Sequence, residues 1–138
     1  MKFPDGIPVY GDPAFRGKCP IEAVEQASLV NKVRKEYPET WGALIIHPRN
    51  EGQLIKGQFS TMIKHAAEGM TKGASDILIP GAPALVMELK RTDHTKSKID
   101  EDQISYLLAA QATGSFACVA LGAMAAWQAV LDWIELQR

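Results

Sequence analysis

Three charged residues stand among apolar ones. Asp76 opens the run Asp76-Ile77-Leu78-Ile79, and Glu88 and Lys90 sit within Ala84-Leu85-Val86-Met87-Glu88-Leu89-Lys90. Side chains alternate along an extended strand, so Glu88 and Lys90, two positions apart, point to one face. A carboxylate buried among apolar neighbours is costly unless something compensates it. A divalent cation held between Asp76 and Glu88 would do so, and hard carboxylate oxygens suit Mg²⁺ or Mn²⁺. Lys90 could then orient or deprotonate a water, or stabilise charge developing on a phosphate. The chemistry on offer is metal-assisted hydrolysis. A purely structural arrangement, a Glu88–Lys90 ion pair with Asp76 capping a turn, fits the same spacing.

The elements that would position these residues follow from the pattern. Ser75–Ile79 and Ala84–Lys90 are strand candidates, and Pro80-Gly81-Ala82-Pro83 between them is a turn cluster, so the two sides of a hairpin can converge. Upstream, Ile21–Tyr37 predicts a helix, with Pro20 at its first position and Pro38 closing it. Ala43–His47 is a short apolar run ending at Pro48 and predicts a strand, and residues 56–68 predict a second helix stopped by Gly69. Downstream, a helix is expected over Ile99–Ala112 with Gly114 beyond its end, then a buried strand over Ser115–Leu121 and a helix over Ala123–Leu136. This order predicts an α/β fold, a mixed central sheet flanked by helices. Residues 1–19 hold three of the eight prolines and three of the eleven glycines and predict an irregular arm outside the core. Residues 20–138 then form a single domain.

Length and charge bound the function. A chain of 138 residues, 46% hydrophobic and 22% charged, matches a globular domain and excludes a disordered one. Fifteen basic residues against sixteen acidic ones give −1, which taken alone disfavours a polyanionic partner. The average conceals a pattern. Residues 49–98 carry eight basic and five acidic side chains, whereas residues 99–138 carry one and five. The basic surplus thus lies in the stretch that holds Asp76, Glu88 and Lys90. Setting Asp76, Glu88 and Glu22 against a metal leaves fifteen basic residues facing thirteen acidic ones.

Other site chemistries are not written in the chain. Cys19 and Cys118 belong to no C-x-x-C pair, and His47, His65 and His94 show no ligand spacing, so a zinc site is not expected. Neither a G-x-S-x-G nucleophile elbow nor a G-x-x-x-x-G-K-[ST] phosphate loop occurs. Trp41, Trp127 and Trp133 are expected in the core or an interface rather than stacked on bases. The opening Met1-Lys2-Phe3-Pro4-Asp5-Gly6 lacks the apolar stretch of a signal peptide, and no run is long enough to span a bilayer. A cytoplasmic location, in a bacterial or phage-infected cell, with no membrane partner, is the expectation.

Around Asp76, Glu88 and Lys90 lie further motifs. They are Glu22-Ala23-Val24-Glu25-Gln26, His47-Pro48-Arg49-Asn50-Glu51-Gly52, the stretch Glu68-Gly69-Met70-Thr71-Lys72-Gly73-Ala74-Ser75-Asp76, and Gln103 in the following helix. Together, over Glu22 to Gly122, they resemble the virus-type replication–repair nuclease (VRR-NUC) family of the PD-(D/E)xK nuclease superfamily. Ser75 stands where that superfamily has proline before the first aspartate. The resemblance implies a restriction-endonuclease-like core, a Mg²⁺- or Mn²⁺-dependent deoxyribonuclease, and a metal site made by Asp76 and Glu88. It further implies Lys90 as the catalytic lysine, Gln103 beside the site, and Glu22 as an added ligand. Glu25 competes for that last role, since the two helical directions differ by only about 60°. Arg49, Asn50, Lys56, Lys64, Lys72, Arg91, Lys96 and Lys98 are the candidate DNA contacts. Resemblance to single-domain members implies a homodimer acting on branched DNA such as Holliday junctions or flaps. The alternative is a catalytically silent nucleic-acid-binding or assembly subunit with a nuclease fold.

Overall fold

The fold is described from a computed structural model covering residues 1–48, 69 and 71–138. Among these residues four strands form one mixed sheet in the order β1-β4-β3-β2, with β1 at Val9–Tyr10, β2 at Ile77–Ile79, β3 at Leu85–Lys90 and β4 at Phe116–Leu121. β2 runs antiparallel to β3, whereas β3–β4 and β1–β4 are parallel. All six residues of β3 are buried, as befits a strand covered on both faces.

Each helix has a local reason for its bounds. α1, Glu22–Glu36, carries Glu22 and Glu25 in its first turn and Arg34 and Lys35 in its last, as the helix dipole favours. Its N-cap is Ile21, so Pro20 lies just outside the helix rather than at its first position. Tyr37, forced out of the helical region by Pro38, ends it at φ −133°. α3, Glu101–Ala112, opens with a capping box in which Asp100 and Gln103 satisfy each other's backbone N–H groups. It closes at Gly114, φ +96°, where Gly114 N–H and Ser115 N–H donate to the carbonyls of Gln111 and Ala110. α4 covers Ala123–Glu135.

The layers follow the alternation along the strands. α1 and α4 cover one sheet face, where Leu29, Val33, Val130 and Trp133 pack on Ile77, Ile79, Met87, Leu89, Cys118 and Ala120. Leu107 of α3 and Ile7 cover the other, against Val86, Ala117, Val119 and Leu121. Glu88 and Lys90 share the parity of Val86 and therefore belong to this second face.

Two further expectations are corrected. The N-terminal arm is not wholly irregular: Val9 and Tyr10 add a parallel strand beside Val119 and Ala120, and Ile7 is buried. Two paired residues are too few to leave a period in the sequence. The strand expected at Ala43–His47 is a short helix α2, Trp41–Leu44, followed by a single antiparallel bridge between Ile46 and Leu78. The ring of Trp41 sits edge-on to Trp133, centroids 4.9 Å apart, so packing on the α4 side overrides the β pattern. The helix expected over 56–68 lies outside the described residues. Among the described residues no helix is long and apolar enough to cross a membrane.

Candidate active site

The β2–β3 ladder builds the site. Its register pairs Ile77 with Met87, which brings Asp76 beside the next stretch of β3, and Asp76 Oδ2 accepts the N–H of Leu89 at 2.9 Å. Lys90 is only 3% exposed, and its Nζ lies 3.3 Å from Glu88 Oε1, 3.5 Å from Glu22 Oε1 and 3.4 Å from Gln103 Oε1. Gln103 Nε2 donates to Glu88 Oε1 at 3.0 Å. One amide thus ties the helix cap to both catalytic candidates, because its backbone and side chain also complete the Asp100 capping box. The second Glu88 oxygen, Oε2, is buried and has no hydrogen-bond partner among the described residues.

The electrostatics follow from this burial. Desolvation pushes the Glu88 carboxyl well above the usual range, and the negative charge of Asp76 adds to it against the pull of Lys90. Glu22 is likewise raised, first by burial, with Lys90 opposing. For Lys90 burial works downward, but Glu88, Glu22 and Asp76 outweigh it and hold the amine above its ordinary value. Lys90 is therefore kept as an ammonium.

Glu22 and Glu25 separate clearly. Glu22 faces Lys90, whereas Glu25 is buried and its Oε2 accepts from Thr92 Oγ1 at 3.0 Å. Among the described residues no three acidic, histidine or cysteine side chains stand close enough to form a ready-made metal cage. Hard oxygens at Asp76 and Glu88, with one Glu88 oxygen unpartnered, still fit Mg²⁺ or Mn²⁺, which commonly takes one or two carboxylates and completes its shell with water and substrate phosphate.

The basic candidates fare unevenly. Arg91 donates from Nε to Pro20 O and from Nη2 to Cys19 O, and Lys96 Nζ donates to Gly17 O at 2.8 Å. Both hold the N-terminal segment against the loop after β3. Lys72 is 3.1 Å from Asp102 at the start of α3, and Lys98 is exposed. Arg49, Asn50, Lys56 and Lys64 lie outside the described residues, as does His65. His47 Nδ1 donates to the Asp76 carbonyl at 2.6 Å, and His94 is buried, with Nε2 donating to Pro13 O. Trp133 is core, as expected, and Cys118 is a buried free thiol. Sequence reasoning missed Asp93, which accepts from Gly17 N, Thr95 N and Thr95 Oγ1. Its only sequence signal was an Asp two residues before a Thr, a local capping pattern.

No family model and no curated protein matches the chain. Among solved structures, a VRR_NUC domain protein is similar, with a TM-score of 0.68 over 88% of this chain and 93% of that one, at 20% identity. The chain has the VRR_NUC fold. The likeness spans most of both chains and shows an α/β fold of the restriction-endonuclease-like type.

Proposed function

We propose that this VRR_NUC-fold protein is a Mg²⁺- or Mn²⁺-dependent DNA endonuclease that hydrolyses phosphodiester bonds, with a preference for branched DNA. The observation that carries the reading is the buried Glu88–Lys90–Gln103 cluster beside Asp76, with an unpartnered Glu88 oxygen. Asp76 and Glu88 would hold the cation. Once bound, such a cation supplies Lewis acidity at the scissile phosphate and lowers the pKa of water. The protein's own groups do the rest. Lys90 donates to a phosphate oxygen or orients the attacking water. Gln103 fixes Glu88 and Lys90 relative to each other, and Glu22 balances the ammonium. A homodimer would present two such sites and double a modest electrostatic attraction to DNA, in the cytoplasm of a bacterial or phage-infected cell.

Among the described residues no three-ligand cage is ready-made, which favours one second reading, a catalytically silent nucleic-acid-binding or assembly subunit. A single cleavage panel separates the two. Four-way junction, flap, single-stranded and duplex DNA are incubated with Mg²⁺ or Mn²⁺, using the natural chain, Glu88→Ala and Lys90→Ala. Cleavage strongest on branched substrates and lost in both variants supports the proposal. Equal cleavage in the variants rejects the site, and no cleavage by the natural chain on any substrate favours the silent subunit.

A further inference from the structure

We propose that the cavity between the N-terminal segment and the start of α3 is a subsite for one unpaired nucleotide. The inference rests on the nuclease reading and names the feature of branched DNA that this chain would select. The cavity holds about 470 Å³, and Phe3, Ile99 and Ile104 give it an apolar lining. Lys2 and Lys98, both exposed, stand on it, and Asp5 and Ser97 add polar groups.

A nucleobase has this character: two apolar faces and a polar edge, attached to an anionic backbone. Phe3 is already oriented, since its ring packs edge-on to buried His94 with centroids 5.0 Å apart. An aromatic ring lining a cavity together with aliphatic side chains can serve as a sequence-tolerant stacking platform, and two lysines match the phosphate charge. Ser97 Oγ accepts from Arg91 N–H, which leaves its own O–H to donate to a base carbonyl, while the Asp5 carboxylate can accept from an exocyclic amine.

The position couples this cavity to the active site. Ile104 follows Gln103, and Ser97 is hydrogen-bonded to the residue that follows Lys90. A base inside a duplex keeps both faces stacked on its neighbours, so only an unpaired base can enter. The subsite therefore favours strands that leave a duplex next to the scissile phosphate.

The test is binding without metal, read by fluorescence anisotropy, so that it does not depend on cleavage. The ligands are a duplex bearing a single-stranded arm, the same DNA with abasic arm residues, a plain duplex, and dAMP as competitor. The abasic arm should lose about tenfold in affinity relative to the intact arm, as removal of one stacked base does. Phe3→Ala should shrink the arm-to-duplex affinity ratio by a similar factor, and Lys98→Ala should reduce the salt slope by about one. Displacement of the arm by dAMP assigns the pocket to a nucleotide as such. A loss on the abasic arm without displacement by dAMP assigns it to the strand. Equal affinity for intact and abasic arms overturns the subsite even if Phe3→Ala fails to fold. Absence of cleavage in the separate panel, with this binding pattern intact, rejects the nuclease reading alone.

Discussion

Gly73 and Gly114 share a backbone conformation but not an environment. Both have positive φ, +79° and +96°. A Cβ on Gly73 would lie 2.5 Å from the backbone C and O of Asp102, which cannot swing aside, whereas one on Gly114 would meet nothing within 4 Å. Gly73 lets the chain pass closely over the start of α3 on its way to Asp76. Gly114→Ala should therefore cost only the left-handed penalty, about 1 kcal/mol. Gly73→Ala adds overpacking against rigid backbone and should cost about 3 kcal/mol. Urea denaturation of both variants checks the difference; equal losses would mean that the Gly73 contact relaxes freely.

The same scale explains why the Glu88–Lys90 pair sits where it does. Both groups are buried, so neither is sustained by water, and each depends on its partners. Gln103 and Glu22 are those partners, and neither could be assigned by strand alternation alone.

At the scale of the element, α3 links folding to the site. Asp100 and Gln103 close its first turn, yet the Gln103 side chain also donates to Glu88 and accepts from Lys90. Loss of an N-cap typically costs about 1 kcal/mol, so Asp100→Ala should destabilise by that amount. Gln103→Ala removes the reciprocal cap and also strips a donor from a buried carboxylate, a further 1–3 kcal/mol or so. The expected order in chemical denaturation is natural chain, then Asp100→Ala, then Gln103→Ala. Equal losses would show that the Glu88 contact contributes nothing to stability. The parallel β3–α3–β4 crossover gives this arrangement its precision, because one helix is anchored to the strand that carries Glu88 and Lys90.

At the scale of the whole molecule, the N-terminal segment is fastened to the loop after β3. Gly17 donates to Asp93, Lys96 donates back to Gly17, and Arg91 grips the carbonyls of Cys19 and Pro20 just before α1. This clamp sets where α1 begins, and hence where Glu22 meets Lys90. Hydrogen bonds from Thr95 and Gly17 hold the Asp93 carboxyl down to about 2. A carboxylate depressed in the folded state adds stability that is fully present above its unfolded value, about 3.9, and is lost as pH falls through the folded one. Thermal denaturation of the natural chain and Asp93→Asn should therefore differ at pH 7 and converge between about pH 4 and 2. A constant difference across that window would show that the charge of Asp93 plays no part in the clamp. The same fastening changes the reading of the basic residues: Arg91 and Lys96, candidates for DNA contacts on charge alone, are engaged with backbone carbonyls.

The sequence alone carried the alternation of β2 and β3, the turn between them and the placement of Glu88 and Lys90 on one face, because a strand's period of two is a local property. It also carried the bounds of α1, α3, β4 and α4 to within a residue or two, since prolines, caps and glycines act on their immediate neighbours. Only the tertiary structure decided the rest. It turned Glu22 rather than Glu25 toward Lys90, made a strand of Val9 and Tyr10, and replaced the strand expected at Ala43–His47 by a helical turn and one bridge. Each of these depends on a partner distant in sequence: Lys90 or Thr92, Val119, and Trp133 with Leu78. Pairing, burial and the field around a buried ammonium arise between elements, and no local pattern encodes them.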